Sequence, residues 1–278
     1  MAAPRAERLT KWLIAGPPLA FLLAFFLLPS LIMALASLRY PGEFGGLAPL
    51  AARTGEEGGL TFENYALFFG DWIYAQIFAK SLGIAALTTF ACLVMAYPLA
   101  MLIARSPKKR RDFMVLLVIL PFASNFLVRI YAWIMLLGPA NLLYTPFAVI
   151  AGMVYVHLPF MILPLYTNLE KHDPALLEAA QDLGANAWTR FWRVTFPLSL
   201  PGVFAGAALV FIPAFGIFAI PDLLGGTGGI MIGNVIKQQF LDTRDWPFGS
   251  VLSMVLTVVA VGLAGLAAWY ARRTRAMA

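Results

Sequence analysis

PFAVIAGMVYVHLPFMILPLYTNL occupies residues 146–169, and EKHDPALLEAAQDLGANAWTRFWRVTFP follows over residues 170–197. The first stretch contains no Asp, Glu, Lys or Arg. A helix of about 20 apolar residues crosses a bilayer core about 30 Å thick, so residues 146–169 are predicted to span a membrane. The second stretch is charged from Glu170 onward and is predicted to be a long, organised connection outside the hydrocarbon region.

Five further apolar stretches have the length of a membrane span. The six predicted spans run over Trp12–Leu38, Ile77–Ala104, Phe113–Leu137, Pro146–Leu169, Ser199–Pro221 and Trp246–Tyr270. The chain is 61% hydrophobic and 12% charged, whereas soluble domains average roughly 45–50% apolar and about 25% charged residues. We therefore predict an all-α, polytopic membrane protein in which residues 1–278 form a single transmembrane domain in contact with the lipid bilayer.

The first predicted span could instead belong to a signal peptide. Arg5, Arg8 and Lys11 resemble its charged start, and Ala34-Leu35-Ala36 resembles its cleavage site. The apolar core of a signal peptide is about 7–15 residues long, however, and this stretch is far longer. We expect a retained span.

The distribution of basic residues orients the chain. Most of its 20 Lys and Arg residues fall in four segments that lie on one side of a six-span protein. They are Arg5, Arg8, Lys11, Arg105, Lys108, Lys109, Arg110, Arg111, Lys171, Arg190, Arg193, Arg272, Arg273 and Arg275. The opposite side holds only Arg39, Arg53, Lys80, Lys237 and Arg244, and it also collects Glu43, Glu56, Glu57, Glu63 and Asp71. Since Lys and Arg accumulate in cytoplasmic loops, both termini are predicted to be cytoplasmic. The net charge of +6 then reflects topology and headgroup attraction, and we expect no nucleic-acid partner.

The connection after residue 169 carries helix signals. Asp173 is a good N-cap and Pro174 suits the first helical position. Gly184 stands where a glycine would end that helix, and a second short helix is predicted over Asn186–Arg193.

The first of these helices is predicted to be amphipathic. Glu178 and Asp182 are one turn apart and share a face. The apolar face of the same helix consists of Leu176, Leu177, Ala180 and Leu183, and it requires a partner.

The same connection carries a recognisable motif. Glu178-Ala179-Ala180, then Gly184, Val194 and Pro197, resembles the EAA loop of importer permeases of the ATP-binding cassette class. The resemblance implies a MetI-like importer permease fold in which residues 171–197, here called the coupling loop, dock into a cleft on an ATPase subunit. It implies a coupling role for Glu178, Ala179, Ala180, Asp182 and Gly184. The alternative is an amphipathic connector that only covers the bundle.

The resemblance extends over most of the chain, to permeases of the spermidine/putrescine importer class. It rests on Leu120-Pro121-Phe122, Arg129-Ile130-Tyr131-Ala132-Trp133, Leu158-Pro159-Phe160-Met161, Pro164-Leu165-Tyr166, Ile232-Gly233-Asn234-Val235-Ile236 and Arg244-Asp245-Trp246-Pro247-Phe248-Gly249. It implies a multi-pass protein of the bacterial inner membrane, a second homologous permease subunit, two ATPase subunits that bind ATP and Mg, and a periplasmic solute-binding protein for polyamines. One departure concerns the segment after the third span, which is usually longer in such permeases. Here only Gly138 to about Thr145 joins spans three and four.

The chain itself lacks the signature of an ATPase. No G-x-x-x-x-G-K-[ST] stretch is present, so we expect ATP hydrolysis by partner subunits, no cofactor in this chain and no enzymatic activity of its own. The glycine-rich stretch Gly225–Gly229 has no following Lys, and we expect a turn there. The single cysteine, Cys92, lies in an apolar run and is expected to pack, so no metal site is predicted.

Candidates for a substrate path are acidic and aromatic residues near the predicted outer side. A cationic polyamine requires carboxylates and aromatic faces, which makes Asp222, at the end of the fifth span, the first candidate. Trp133, Tyr155 and Phe215 are aromatic candidates, with packing as the alternative. His157 is an intramembrane ionisable residue, with hydrogen bonding inside the bundle as the alternative. Arg129, counted along the third span, lies near the outer interface and is either an anchor or part of the path mouth.

Other functional classes fit less well. An ion-coupled secondary transporter would show paired intramembrane acids or inverted repeats, and neither is evident in the sequence. A membrane enzyme would need a convergent catalytic set, and a channel would not need the coupling loop. Within the importer class, another small cationic or amino-acid-like solute is the alternative to polyamines.

Overall fold

The computed structural model describes residues 3–50 and 58–275, with side chains described from 12 to 266 within those ranges. The predicted outer-side residues Arg53, Glu56 and Glu57, and the side chains of the basic residues near both termini, lie outside this description. The helices fall into two compact units. One unit takes in Met1–Trp72 and Ile236–Val258, and the other takes in Ile73–Val235 and Val259–Ala278.

Thirteen α-helices are described, and five of them account for most of the membrane-spanning length. Their bounds are α1 Ala3–Leu22, α2 Leu28–Ala36, α3 Glu63–Gly70, α4 Trp72–Ala104, α5 Lys108–Ile119, α6 Phe126–Leu137, α7 Pro146–Leu169, α8 Ala175–Asp182, α9 Ala187–Arg190, α10 Phe196–Gly216, α11 Ala219–Leu224, α12 Ile232–Leu241 and α13 Trp246–Arg275. In the described part of the chain, β-structure is limited to two isolated bridges.

Five continuous helical stretches are long and apolar enough to cross a membrane. They are Trp12–Ala36, Trp72–Ala104, Pro146–Leu169, Ala187–Gly216 and Trp246–Leu266, and a bent helix pair brings the count to as many as six. The prediction of an all-α polytopic protein is therefore confirmed.

Two of these stretches contain a π turn that stands just before a proline. Leu23–Leu27 precedes Pro29, and Phe191–Thr195 precedes Pro197. Proline has no N–H to donate to the carbonyl four residues earlier, so the helix must adjust there. One extra residue wound into the turn provides the adjustment without breaking the span.

The third predicted span is not one helix. A 3₁₀ turn over Leu120–Ala123 follows α5, and α5 with this turn makes an angle of 92° with α6. The expectation of a continuous helix over Phe113–Leu137 is therefore wrong. Pro121 removes a backbone donor at the break, and the Asn125 side chain starts α6 afresh by accepting from the Leu127 N–H at 2.8 Å.

The fifth predicted span also differs at both ends. It begins earlier than Ser199, because the short helix expected over Asn186–Arg193 is present as α9 and continues through the π turn into α10. It ends at Gly216, and Pro221 belongs to the separate helix α11.

A short helix, α3, lies between the first two membrane-spanning stretches. The Thr61 side chain accepts from the Glu63 N–H at its start. The Asn64 side chain donates to the carbonyls of Ser37 and Arg39, at 3.3 and 2.8 Å, and ties the helix to the end of the first span.

The core of the larger unit is the contact between α7 and α10. At Gly202 an added Cβ would lie 2.7 Å from the Asn168 Cβ, and at Gly206 one would lie 2.7 Å from the Met161 sulfur. The two glycines therefore allow the helices to approach closely, which is common in membrane proteins where small residues stand four positions apart. Buried residues of α4 complete this core, among them Ala96, Ala100 and Ile103.

Candidate functional site

The coupling loop begins with a capped helix. The Asp173 carboxylate accepts from the Ala175 N–H at 2.9 Å, and the carbonyl of Pro174 accepts from the N–H groups of Leu177 and Glu178. The side chain satisfies one of the donors that a helix start leaves unpaired. The predicted N-cap is confirmed.

The end of α8 is a Schellman motif. Gly184 has a φ of +79°, its N–H donates to the Gln181 carbonyl at 2.9 Å, and the Ala185 N–H donates to the Ala180 carbonyl at 3.0 Å. These two bonds define the motif, and its positive φ favours glycine. Nothing lies within 4 Å of a Cβ added at Gly184. The constraint on this residue is therefore its backbone angle and not its surroundings.

The second half of the coupling loop is held by aromatic rings. Asn186 caps α9 by accepting from the Thr189 N–H at 2.8 Å. Phe191 and Phe196 then pack on Tyr97 of α4, with ring centroids 5.4 and 6.0 Å apart. The buried Tyr97 hydroxyl lies 2.8 Å from the Ser199 hydroxyl of α10. The loop is thereby anchored at its exit to two spans.

The helix α8, which precedes these anchors in the chain, is largely exposed. Leu176 and Leu183 are exposed, Leu183 to 88%, while Leu177 and Ala180 are half-buried. Four apolar residues were predicted to need a partner, and the bundle covers only two of them in part. The bundle therefore leaves half of this apolar face exposed.

The acidic face of α8 is also open. Glu178 and Asp182 are both exposed, and one turn of helix separates them. Within the described residues, neither carboxylate takes part in an ion pair. A side-chain hydrogen bond from the Arg190 guanidinium to the Gln181 side-chain oxygen, at 2.7 Å, joins α8 to α9. An exposed pair of carboxylates beside exposed leucines suits a basic and apolar partner surface.

Behind α8 lies a cavity of about 430 Å³. It is lined by residues from the ends of α4 and α7, from α8 and from the start of α10, including Arg105, Leu169, Leu177, Val194 and Leu198. At its edge the Arg111 guanidinium donates to the Glu170 carboxylate at 2.6 Å. This ion pair joins α5 to Glu170, the residue that directly precedes the coupling loop.

The predicted path residues do not form one cluster. Trp133 and Tyr155 form an edge-to-face pair with centroids 5.7 Å apart, and Tyr155 is 36% exposed. Phe215 is buried and packs against Phe78 and Phe211. The structure therefore brings together only two of the three aromatic candidates.

The ionisable candidates are separated as well. His157 is buried, and its Nδ1 lies 2.8 Å from the carbonyl oxygen of Met153 one turn earlier. Asp222 is exposed in the first turn of α11 and not at the end of the fifth span. The Arg129 guanidinium lies 6.0 Å from the centroid of the Phe122 ring, close to the bend in the third span.

Comparison with known proteins assigns the chain to a family. Residues 96–276 match the binding-protein-dependent transport system inner membrane component family. The chain belongs to this family. It is thus an inner-membrane transport permease of an ATP-binding cassette importer.

Relatives of this permease extend the match beyond that segment. The chain is 44% identical over 230 residues to the spermidine/putrescine transport system permease protein PotB of Escherichia coli strain K12, which covers 77% of this chain and 83% of the relative. It is 42% identical over 258 residues to the corresponding protein of Haemophilus influenzae, which covers 86% of both chains.

Solved structures support the permease fold. A bacterial ABC transporter involved in the import of the acidic polysaccharide alginate matches with a TM-score of 0.69, at 17% identity, over 96% of this chain and 98% of the other. The bacterial alginate ABC transporter in complex with alginate pentasaccharide-bound periplasmic protein matches with a TM-score of 0.71, also at 17% identity, over 96% of each chain.

Two polar residues of the permease were not singled out from sequence. Asn234 is buried, and its side-chain amide forms hydrogen bonds with Phe218, Asp222 and Met231. Ser81 is buried in α4 and accepts from the Ile232 N–H at 2.8 Å. The available signal was an amide and a hydroxyl inside otherwise apolar stretches, because buried polar groups need partners.

Proposed function

We propose that this permease imports polyamines of the spermidine and putrescine type by alternating access, driven by separate ATPase subunits. The observation that carries the ATPase coupling is the coupling loop, a doubly capped helix whose apolar and acidic residues face outward. The substrate class is supported by the similarity to the PotB relatives over most of the chain.

The coupling step assigns a task to each residue of the motif. Glu178 and Asp182 pair with basic groups on the ATPase, and Leu183 enters an apolar part of its cleft. Ala179 and Ala180 keep the helix narrow, while Gly184 permits the turn that directs the chain back toward α10. When ATP draws two ATPase subunits together, α8 transmits the displacement to the spans through its aromatic anchors.

The assembly contains more than this chain. We infer a second homologous permease, two ATPase subunits that bind ATP and Mg, and a periplasmic binding protein that delivers the solute. This chain holds no cofactor of its own. The coupling loop and both termini face the cytoplasm in this arrangement, in line with the distribution of Lys and Arg.

The path for a cationic solute starts at the outer side. Asp222 and the Trp133–Tyr155 pair supply charge and aromatic faces, both of which attract ammonium groups. His157 and Phe215 are covered in this conformation, so they reach a solute only when the bundle opens.

The test is ATP hydrolysis by the whole reconstituted transporter with its binding protein. Spermidine is expected to stimulate hydrolysis in the wild type, and Glu178→Lys is expected to abolish most of the stimulation while the complex still assembles. Glu178→Gln is the matched control that removes the charge without inverting it, and it should give an intermediate loss. Stimulation that survives Glu178→Lys would remove the coupling role.

The same preparation tests the substrate and the energy source. A wild type stimulated only by a neutral or amino-acid-like solute would retain the importer class and overturn the polyamine assignment. Solute uptake that needs an ion gradient and no ATP would favour a secondary transporter instead.

A further inference from the structure

Asp222 stands in a long stretch of sequence with no other charged side chain. It is the only Asp, Glu, Lys, Arg or His between Thr195 and Lys237. Its neighbours in α11, Ile220 and Leu224, are buried, and both reach the position of a Cβ added at Gly152 of α7. The helix therefore packs its apolar side on α7 and leaves the Asp222 carboxylate exposed.

Asn234 holds this carboxylate through a buried amide. Its Oδ1 accepts from the Met231 N–H at 2.9 Å, and its Nδ2 donates to the Phe218 carbonyl at 3.0 Å and to the Asp222 carboxylate. The Phe218 carbonyl also accepts from the Asp222 N–H at 3.0 Å. The Asp222 backbone is thus bonded to Phe218 and its side chain to Asn234, and Asn234 itself donates to the same Phe218 carbonyl.

The fold brings Asn234 to this place by close backbone contact. A Cβ added at Gly233 would lie 2.4 Å from the Gly216 carbonyl oxygen and 2.7 Å from that of Ile217. Glycine therefore lets the start of α12 lie against the end of α10. The Ser81 hydroxyl, which accepts from the Ile232 N–H, fixes the same turn independently of Asp222.

We propose that Asn234 is the positioning residue for Asp222, and that the amide fixes the carboxylate for contact with the ammonium groups of the solute. The inference rests on the proposed import of a cationic solute. A carboxylate held in advance loses less side-chain freedom when a ligand binds. Only an amide supplies both the acceptor for Met231 and the donors for Phe218 and Asp222.

Other side chains at position 234 would fail for different reasons. Leucine has a similar size, but it leaves the buried Met231 N–H without its acceptor and removes the donor that holds the Asp222 carboxylate. Aspartate has the same shape, but it places a second carboxylate beside Asp222 and opposes the Phe218 carbonyl. Asn234→Asp is therefore the variant that changes the chemistry with the least change in packing.

The experiment compares transport of spermidine and putrescine by the complete transporter in proteoliposomes. Asp222→Asn and Asn234→Asp are each expected to lower the maximal spermidine rate about tenfold, because the first removes the carboxylate and the second removes the amide donor that fixes it. Both should also change the ratio of the spermidine rate to the putrescine rate, because the two solutes differ in charge. A merely structural defect would lower both rates in proportion.

Ser81→Ala is the matched control, since it removes a buried hydrogen bond from the same turn without touching Asp222. It should leave the rate ratio unchanged. The double variant Asp222→Asn/Asn234→Asp restores an amide–carboxylate pair with the charge at the buried position. It should recover thermal stability relative to Asn234→Asp alone without recovering the spermidine rate.

The outcomes separate this inference from the proposed function. If Asp222→Asn reduces transport and Asn234→Asp leaves both the rate and the ratio intact, the positioning role is wrong and the importer stands. An unaffected Asp222→Asn variant, or a Ser81→Ala variant that matches Asn234→Asp in rate and ratio, overturns the positioning role in the same way. A wild type that transports no cationic solute overturns both.

Discussion

The contact between α7 and α10 and the exposed helix α8 belong to the same unit but follow opposite rules. In the first, glycines bring backbones together and residues such as Leu165 are fully buried. In the second, Leu183 is 88% exposed, and a side-chain hydrogen bond from Arg190 to Gln181 joins the helix to α9. In the first region the side chains pack against other parts of this chain. In the second region the backbone of the helix is capped at both ends, but most of its side chains are exposed. The difference distinguishes residues that build the permease from residues that serve a partner.

The largest expected effect comes from breaking the helix contact. Gly202→Leu should abolish folding of the permease, since its Cβ would lie 2.7 Å from the Asn168 Cβ and 3.2 Å from the Pro164 carbonyl oxygen. Overpacking costs about 1–3 kcal/mol even where neighbours can move, and here a backbone atom stands in the way. The measurement is the yield of monodisperse protein in detergent. Gly83→Leu is the control, because nothing lies within 4 Å of its added Cβ, and equal loss in both variants would refute the contact argument.

Truncating one leucine in each region sharpens the comparison. Leu165→Ala should lower the free energy of unfolding by about 2–5 kcal/mol, as expected for a buried leucine. Leu183→Ala should change it by less than about 0.5 kcal/mol, because exposed positions contribute little. Thermal unfolding measures the first effect and stimulated ATP hydrolysis in the complex measures the second. A Leu183→Ala variant that unfolds early and couples normally would reverse the assignment.

Position 184 separates backbone angle from side-chain space. Gly184→Val should disturb the turn by about 1–2 kcal/mol, since a β-branched residue at φ +79° is strained. Gly184→Asn should come close to wild type, because asparagine tolerates this angle. The ratio of stimulated to basal ATP hydrolysis reports the result, with unfolding temperatures as the control. Equal losses in both variants would indicate that a partner needs the bare backbone at this site.

The smallest effect concerns the bond between α8 and α9. Arg190→Met and Gln181→Met should each change the free energy of unfolding by less than about 1 kcal/mol, because the bond is exposed to solvent. A double-mutant cycle should give a small but nonzero interaction energy. A value of several kcal/mol would mean that α8 is held to the bundle much more firmly than its exposure indicates.

The sequence was most informative where local chemistry decides the structure. The Asp173 cap and the Gly184 turn were predicted because both depend on a few neighbouring residues. The long apolar stretches around α4 and α7 were predicted because length and charge suffice to recognise them.

The features that were mispredicted depend on contacts between residues distant in sequence, or on whether a proline breaks a helix or is accommodated within it. Pro121 bends the third span, whereas Pro159 and Pro164 lie within α7, and residue type alone does not distinguish these cases. The end of α10 at Gly216 is set partly by the close packing of Gly233. The role inferred for Asn234 depends on Phe218 and Asp222, which hydropathy does not connect to it.

Two tryptophans beside the aromatic anchors of the coupling loop provide a spectroscopic signal. Trp188 is 71% exposed and Trp192 is 46% exposed, and their rings lie edge to face with centroids 5.6 Å apart. Indole emission moves to shorter wavelength when water is removed from the ring. Any subunit that settles on this part of the loop therefore changes the fluorescence of two native residues, so assembly can be followed in real time without an attached dye.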